Sequence, residues 1–180
     1  MVSMPQGSWC NIGVFELMQP AELIITILTS YLGLSQDRVF QGVQGIKPKL
    51  SGINVMVKEA TSQVIGSKST INDQAQEVSS VVLSTPVDCE IFGKDYAVVE
   101  RKEEILMAIS SVFAQQLCDE HSMRIDRQGS IMDLSRVEGA QAMHRYRIGV
   151  IVKHMKQKSV STELFYDETK LQTSEVKIDE

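Results

Sequence analysis

Cysteine is scarce in this chain. Cys10, Cys89 and Cys118 stand far apart, and none belongs to a CxxC pair. An odd, scattered set argues against a disulfide framework and fits isolated thiols in a reducing compartment. Positive charge is also in deficit: 18 bases face 23 acids, for a formal net charge of -5. A free-standing DNA binder needs a basic face to displace counterions, so this balance argues against one. Long apolar runs are missing. The clearest, Leu23 to Leu28, is far too short to span a bilayer. Met1-Val2-Ser3-Met4 lacks the basic start of an export signal. The expectation is a protein made in a cytoplasm, not exported by itself, with no membrane partner.

Catalytic signatures are absent too. The chain contains no GxxxxGK[ST], no GxGxxG and no GxSxG. His144 and His154 share a strand face but lie about 33 Å apart along it, too far to hold one metal ion. Pro86-Val87-Asp88-Cys89-Glu90 followed by Lys94 faintly resembles the Asp, then Glu-x-Lys pattern of metal-dependent nucleases. The lysine position of that pattern is Phe92 here. A solvated strand face, with Asp88 and Glu90 pointing outward, is the better reading. The sequence therefore offers no catalytic, cofactor-binding or metal-binding residue, and the chain is read as a non-enzyme without a cofactor.

What is present is a framework. An apolar fraction of 43% with 23% charged residues is ordinary for a globular chain. Residues 1–19 read as an N-terminal arm. A helix starts at Pro20, runs along the stripe Leu23, Ile24, Ile27, Leu28, Tyr31 and Leu32, and ends at Gly33. Strands are expected near 38–43, 53–57 and 81–91, with Pro86 at a bulge or edge position. Residues 59–76 are polar and read as a loop or a protruding hairpin. Asp95 is a candidate N-cap for a second helix, Glu100 to Leu117, burying Ile105, Leu106, Ile109, Val112, Phe113 and Leu117. A hairpin of 130–136 and 143–155 follows, then a strand at 160–166 and an acidic tail, 167–180.

From His144 to His154 the even positions are mostly apolar, and the odd ones include Arg145, Arg147 and Lys153. Side chains alternate across a strand, so this strand has one apolar and one largely basic face. The order α-β-β-β-α-β-β-β predicts one α+β domain over 20–166: an antiparallel or mixed sheet with two helices packed on one face. The basic stripe suits contact with phosphate or an acidic neighbouring subunit. The alternative is a wet face offset by Asp133 and Glu138, and the acidic total charge favours that face or an interface pairing over nucleic acid. Trp9 either caps the core or anchors in a partner's pocket. Trp9, Arg145, Arg147, Lys153 and Lys68, in the polar segment, are the candidate subunit or partner interface.

Taken in order, Phe92-Gly93-Lys94-Asp95-Tyr96-Ala97 leading into the second helix, Gly129 to Ser135, and His144 to Val152 resemble the tail-terminator (neck terminator) family of contractile-tailed bacteriophages. The resemblance covers roughly residues 20–166. It implies a structural virion protein, assembled in the host cytoplasm and resident at the tail neck. Copies of the chain, usually six, form a ring that caps the tail tube and joins the tail to the head connector. The implied partners are tail tube, tail sheath and head-connector proteins. Genomic DNA passes through the lumen without specific binding, kept mobile by like charge. Another tail ring component, a connector adaptor or baseplate protein, is the alternative within that class; a metal-dependent nuclease is the alternative outside it.

Overall fold

The computed structural model describes residues 18–42, 51–72, 76–138 and 141–161. Trp9, the N-terminal arm through residue 17, the strand beyond Ser161 and the tail 167–180 lie outside the described residues. The elements are α1 (Pro20–Leu32), β1 (Val39–Gln41), β2 (Asn54–Glu59), β3 (Gln63–Ile71), β4 (Gln76–Gly93), α2 (Ala97–Arg101), α3 (Glu104–Ile109), α4 (Val112–Glu120), β5 (Met123–Asp133), β6 (Arg136–Glu138) and β7 (Gln141–Ser161). The strands form one mixed sheet ordered β1-β2-β4-β7-β5, with β3 added to β4 and β6 to β7. Among the described residues only the β1–β2 pair is parallel. The fold class is α+β.

The first helix forms where the sequence predicts it. Pro20 needs no partner for its missing N–H. The Glu22 carboxylate accepts from the Gln19 backbone N–H at 3.0 Å, which ties down one orphan donor. Gly33, at φ 63°, closes the helix in the left-handed region. Leu23, Ile24, Ile27 and Leu28 are fully buried, each worth about 2 kcal/mol over an exposed position. Tyr31, expected in the stripe, faces out instead, with 46% of its surface exposed.

The expected second helix is broken. The backbone turns at Lys102-Glu103 and again at Ser110-Ser111, giving three short helices. The Ser110 hydroxyl donates to the Leu106 carbonyl at 2.5 Å. Ser111 caps α4, accepting from the Ala114 N–H at 3.1 Å. The break shifts the helical phase, so Ala114 and Cys118 enter the core in place of Val112 and Phe113, which are exposed. The Asp95 carboxylate does not cap a helix. It accepts from the Gly52 N–H at 2.7 Å, while Tyr96 holds the N-cap position of α2. Gly52 sits at φ 78°. A Cβ at Gly93 would run into the Gly52 carbonyl oxygen, so this junction requires glycine on both strands' ends.

All the helices lie over one sheet face. Val55, Val57, Val87, Cys89, Ile91, Ile148, Val150 and Val152 point into a single buried cluster with α1, α3 and α4. From Tyr146 to His154 the even positions of β7 are its buried side, as the alternation predicts. Pro86 falls where β4 exchanges β3 for β2 as its neighbour. Its missing N–H is therefore not required by the ladder.

The polar segment is a hairpin: β3 returns along the first half of β4. The two expected strands 143–155 and 160–166 are one strand, β7, as far as Ser161. The strand after the helices begins at Met123 rather than near residue 130. Gln63–Ile71, the paired half of β4 and the end of β7 make a three-stranded ribbon about 30 Å long. Among the described residues, no helix covers either of its faces.

Candidate functional site

The sheet face opposite the helices holds the densest polar cluster. The register sets Glu90 between Met56 and Arg147, and Phe92 beside Arg145. Alternation then brings Lys58 of β2, Asp88 and Glu90 of β4, and Arg145 and Arg147 of β7 onto one surface. Arg145 donates from Nε to Glu90 Oε2 at 3.0 Å and again from Nη2. Arg147 donates from Nε and Nη2 to Oε1 at 3.0 and 2.9 Å. Lys58 Nζ lies 3.6 Å from the same oxygen.

Three long cationic side chains thus roof a carboxylate that has no exposed surface. Burial alone would raise the Glu90 pKa. The Arg145 hydrogen bond and charge, with Arg147 and Lys58, outweigh it and hold the group below its ordinary value. Asp88 stands 3.9 Å from Arg147. Phe40 and Phe92 close one flank edge to face, with ring centroids 6.4 Å apart.

A second, smaller cluster sits further along the same face. Lys153 Nζ meets Asp126 at 2.6 Å, and Arg124 Nε meets it at 3.1 Å. The Lys153 hydrogen bond leads the lowering of the Asp126 pKa. Lys68 lies on this face too, opposite Ser80 on the ribbon. Register therefore places Arg145, Arg147, Lys153 and Lys68 along one face, spread over about 40 Å.

Glu90 corrects the sequence reading. It is not an outward, solvated acid: the arginine stripe needed a counter-charge, and the opposite strand supplies it at fixed register. Arg145 and Arg147 are accordingly balanced by Glu90 and Asp88, and Lys153 by Asp126, in place of the expected Asp133; the Glu138 side chain lies outside what is described. Both Glu90 oxygens are engaged by cations, an environment that repels a divalent ion. Among the described residues, no three His, Cys, Asp or Glu side chains are placed to hold a metal. Burial, then the Asp88 charge, push the Cys89 thiol up to about 12, which makes it unreactive in the folded chain. Among the described residues no helix is long and apolar enough to cross a membrane.

The ribbon is the other feature sequence reasoning did not resolve. Ile65 is an extra residue between Val64 and Gly66, a bulge that twists β3. Val64, Ile65 and Ile71 are more than half exposed, and Val82 and Met155, cross-strand neighbours, are partly exposed. Hydroxyls stitch its strands: Ser69 to Ser79 at 2.9 Å, and Ser80 to the Lys68 carbonyl at 3.1 Å. At its root, Ser62 bonds the buried Thr85 at 2.7 Å. His154 is also buried there, its Nδ1 without a hydrogen-bond partner among the described residues.

The sequence matches no protein-family model and no curated protein.

Proposed function

We propose that this chain is a structural subunit of a contractile phage tail neck, a terminator ring that caps the tail tube and joins it to the head connector. The observation that carries this reading is the three-stranded ribbon. β4 runs 18 residues and β7 runs 21, several times the usual strand length. About half of each lies outside the helix-covered core. A chain that folds for its own stability does not extend strands bearing exposed Val64, Ile65 and Ile71 into water. Such a ribbon serves contact with another protein surface. The buried Glu90 cluster supports the same reading, because it rigidifies the sheet from which the ribbon extends. In this role six copies stand in a closed ring, contacting tail tube, sheath and connector proteins, and DNA passes without specific binding.

Gold labelling of the tagged full chain in virions tests this. Label at the head–tail junction is the expected result. Label at the baseplate would replace the terminator with another tail ring component. Cleavage of DNA with magnesium or manganese, abolished by Asp88→Ala, would overturn the structural role altogether.

A further inference from the structure

Among the described residues, charge and exposed apolar surface are segregated, and the two distributions coincide. The ribbon, residues 62–72, 76–84 and 153–161, carries Lys68, Lys153, Lys156 and Lys158 against the single acid Glu77. Lys153 is taken up by Asp126. Lys68, Lys156 and Lys158 have no ion-pair partner among the described residues. The helical side is the reverse. Residues 18–34 and 94–121 hold seven acids, Glu22, Asp95, Glu100, Glu103, Glu104, Asp119 and Glu120, against Lys94, Arg101 and Lys102. Of these, Arg101 is paired with Glu104.

The large apolar side chains that remain exposed fall on these same two regions. Val64, Ile65, Ile71, Val82 and Met155 are on the ribbon. Tyr31, Tyr96, Met107, Val112 and Phe113 are on the helical side. Among the described residues only Met132 is exposed elsewhere. Each region thus combines greasy contacts with net charge, and the two charges are opposite. The surfaces are complementary to each other, not to themselves, which suits a head-to-tail contact between copies and disfavours a two-fold one.

We infer that the ribbon of one copy docks on the helical side of the next, through the ribbon face that register gives to Lys156, Lys158, Val64 and Ile71, with the two lysines facing acids such as Glu100, Glu103 and Glu120. The inference rests on the ring reading and specifies its subunit contact. Repetition of this contact closes a ring if the rotation between copies divides a full turn, and otherwise builds a filament.

The test uses sedimentation of the full chain at low and high salt. One variant reverses the docking face of the ribbon (Lys156→Glu, Lys158→Glu); Lys68→Glu, on the opposite face, is the control expected to leave association unchanged. A second reverses the helical side (Glu100→Lys, Glu103→Lys, Glu120→Lys). The wild type is expected to form an oligomer that weakens with salt. Each reversal alone is expected to associate about 10-fold more weakly or worse, while an equimolar mixture regains association. Circular dichroism separates lost contact from lost fold, since Lys68, Lys156, Lys158, Glu100, Glu103 and Glu120 are all exposed.

An oligomer indifferent to both reversals overturns the contact and leaves the ring reading standing. Loss of association that the mixture does not restore also overturns it. A wild-type chain that stays monomeric at every concentration overturns both. If the ribbon reversal abolishes only binding to tail tube or connector protein, its occupant is that protein and not a second copy.

Discussion

Replacing Glu90 by glutamine isolates the cluster on the open sheet face. The substitution keeps the shape and removes the charge. Arg145, Arg147 and Lys58 are then left over a neutral amide with one acceptor oxygen. Removing one partner of a buried ion pair costs about 3–5 kcal/mol. The two arginines are 28% and 38% exposed, so water recovers part of their solvation. The expected loss is about 3 kcal/mol, or about 6–12 °C in Tm for a chain of this size. Urea denaturation followed by circular dichroism reads it directly.

The pH dependence provides a second, independent reading. The folded Glu90 pKa lies below its ordinary value of 4.5. Its contribution is therefore fully present above that value and is lost as pH falls through the folded pKa. The gap between wild type and Glu90→Gln should be constant near neutrality and close on acidification below 4.5. A loss under about 1 kcal/mol, or a gap that persists unchanged into strong acid, would refute the electrostatic account of the cluster.

Three further outcomes follow from the packing. Gly93→Ala forces a methyl group against the Gly52 carbonyl and should cost about 3 kcal/mol, the upper end of overpacking, measured as a shifted urea midpoint. His154 is buried, and desolvation leads in holding its pKa below the ordinary 6.5. The unfolded chain then binds the proton more readily, so the wild type loses stability as pH falls below 6.5. His154→Leu also removes the unpartnered Nδ1, and thermal melts at neutral and mildly acid pH should show that slope reduced. Cys89, with its thiol raised to about 12, should resist alkylation in native buffer and label on unfolding; rapid native labelling, read by peptide mass spectrometry, would contradict its burial.

How much of this was legible in sequence depended on whether one side of an element is buried. Alternation from His144 to His154 identified a strand and its two faces because the core takes one face and water the other. The stripe from Leu23 to Leu32 gave α1, with Pro20 and Gly33 marking its ends. Residues 63–71 showed no such pattern, since β3 buries neither face; periodicity has nothing to report there. The break in the second helix had a local signal, Ser110-Ser111, but a serine pair mid-stripe is decisive only once the backbone shows which hydroxyl caps. Glu90 was misread for a different reason. Its parity correctly placed it opposite the core, yet burial there comes from arginines more than fifty positions away, brought alongside by a register that one strand cannot reveal. The candidate interface residues Arg145 and Arg147 were found by the same parity argument, without their counter-ion. Ribbon dimensions depended on knowing that β4 pairs with β7 along all of β4, which follows from the fold and not from either strand alone.

The central claim is that this chain acts by joining copies of itself into a closed assembly at the tail neck. Native mass spectrometry of the purified full chain, with electron microscopy of the same sample, tests it most directly. The account predicts a discrete closed oligomer, six-fold in class averages, with a central opening. A monomer across the accessible concentration range, or a two-fold dimer without an opening, would contradict it.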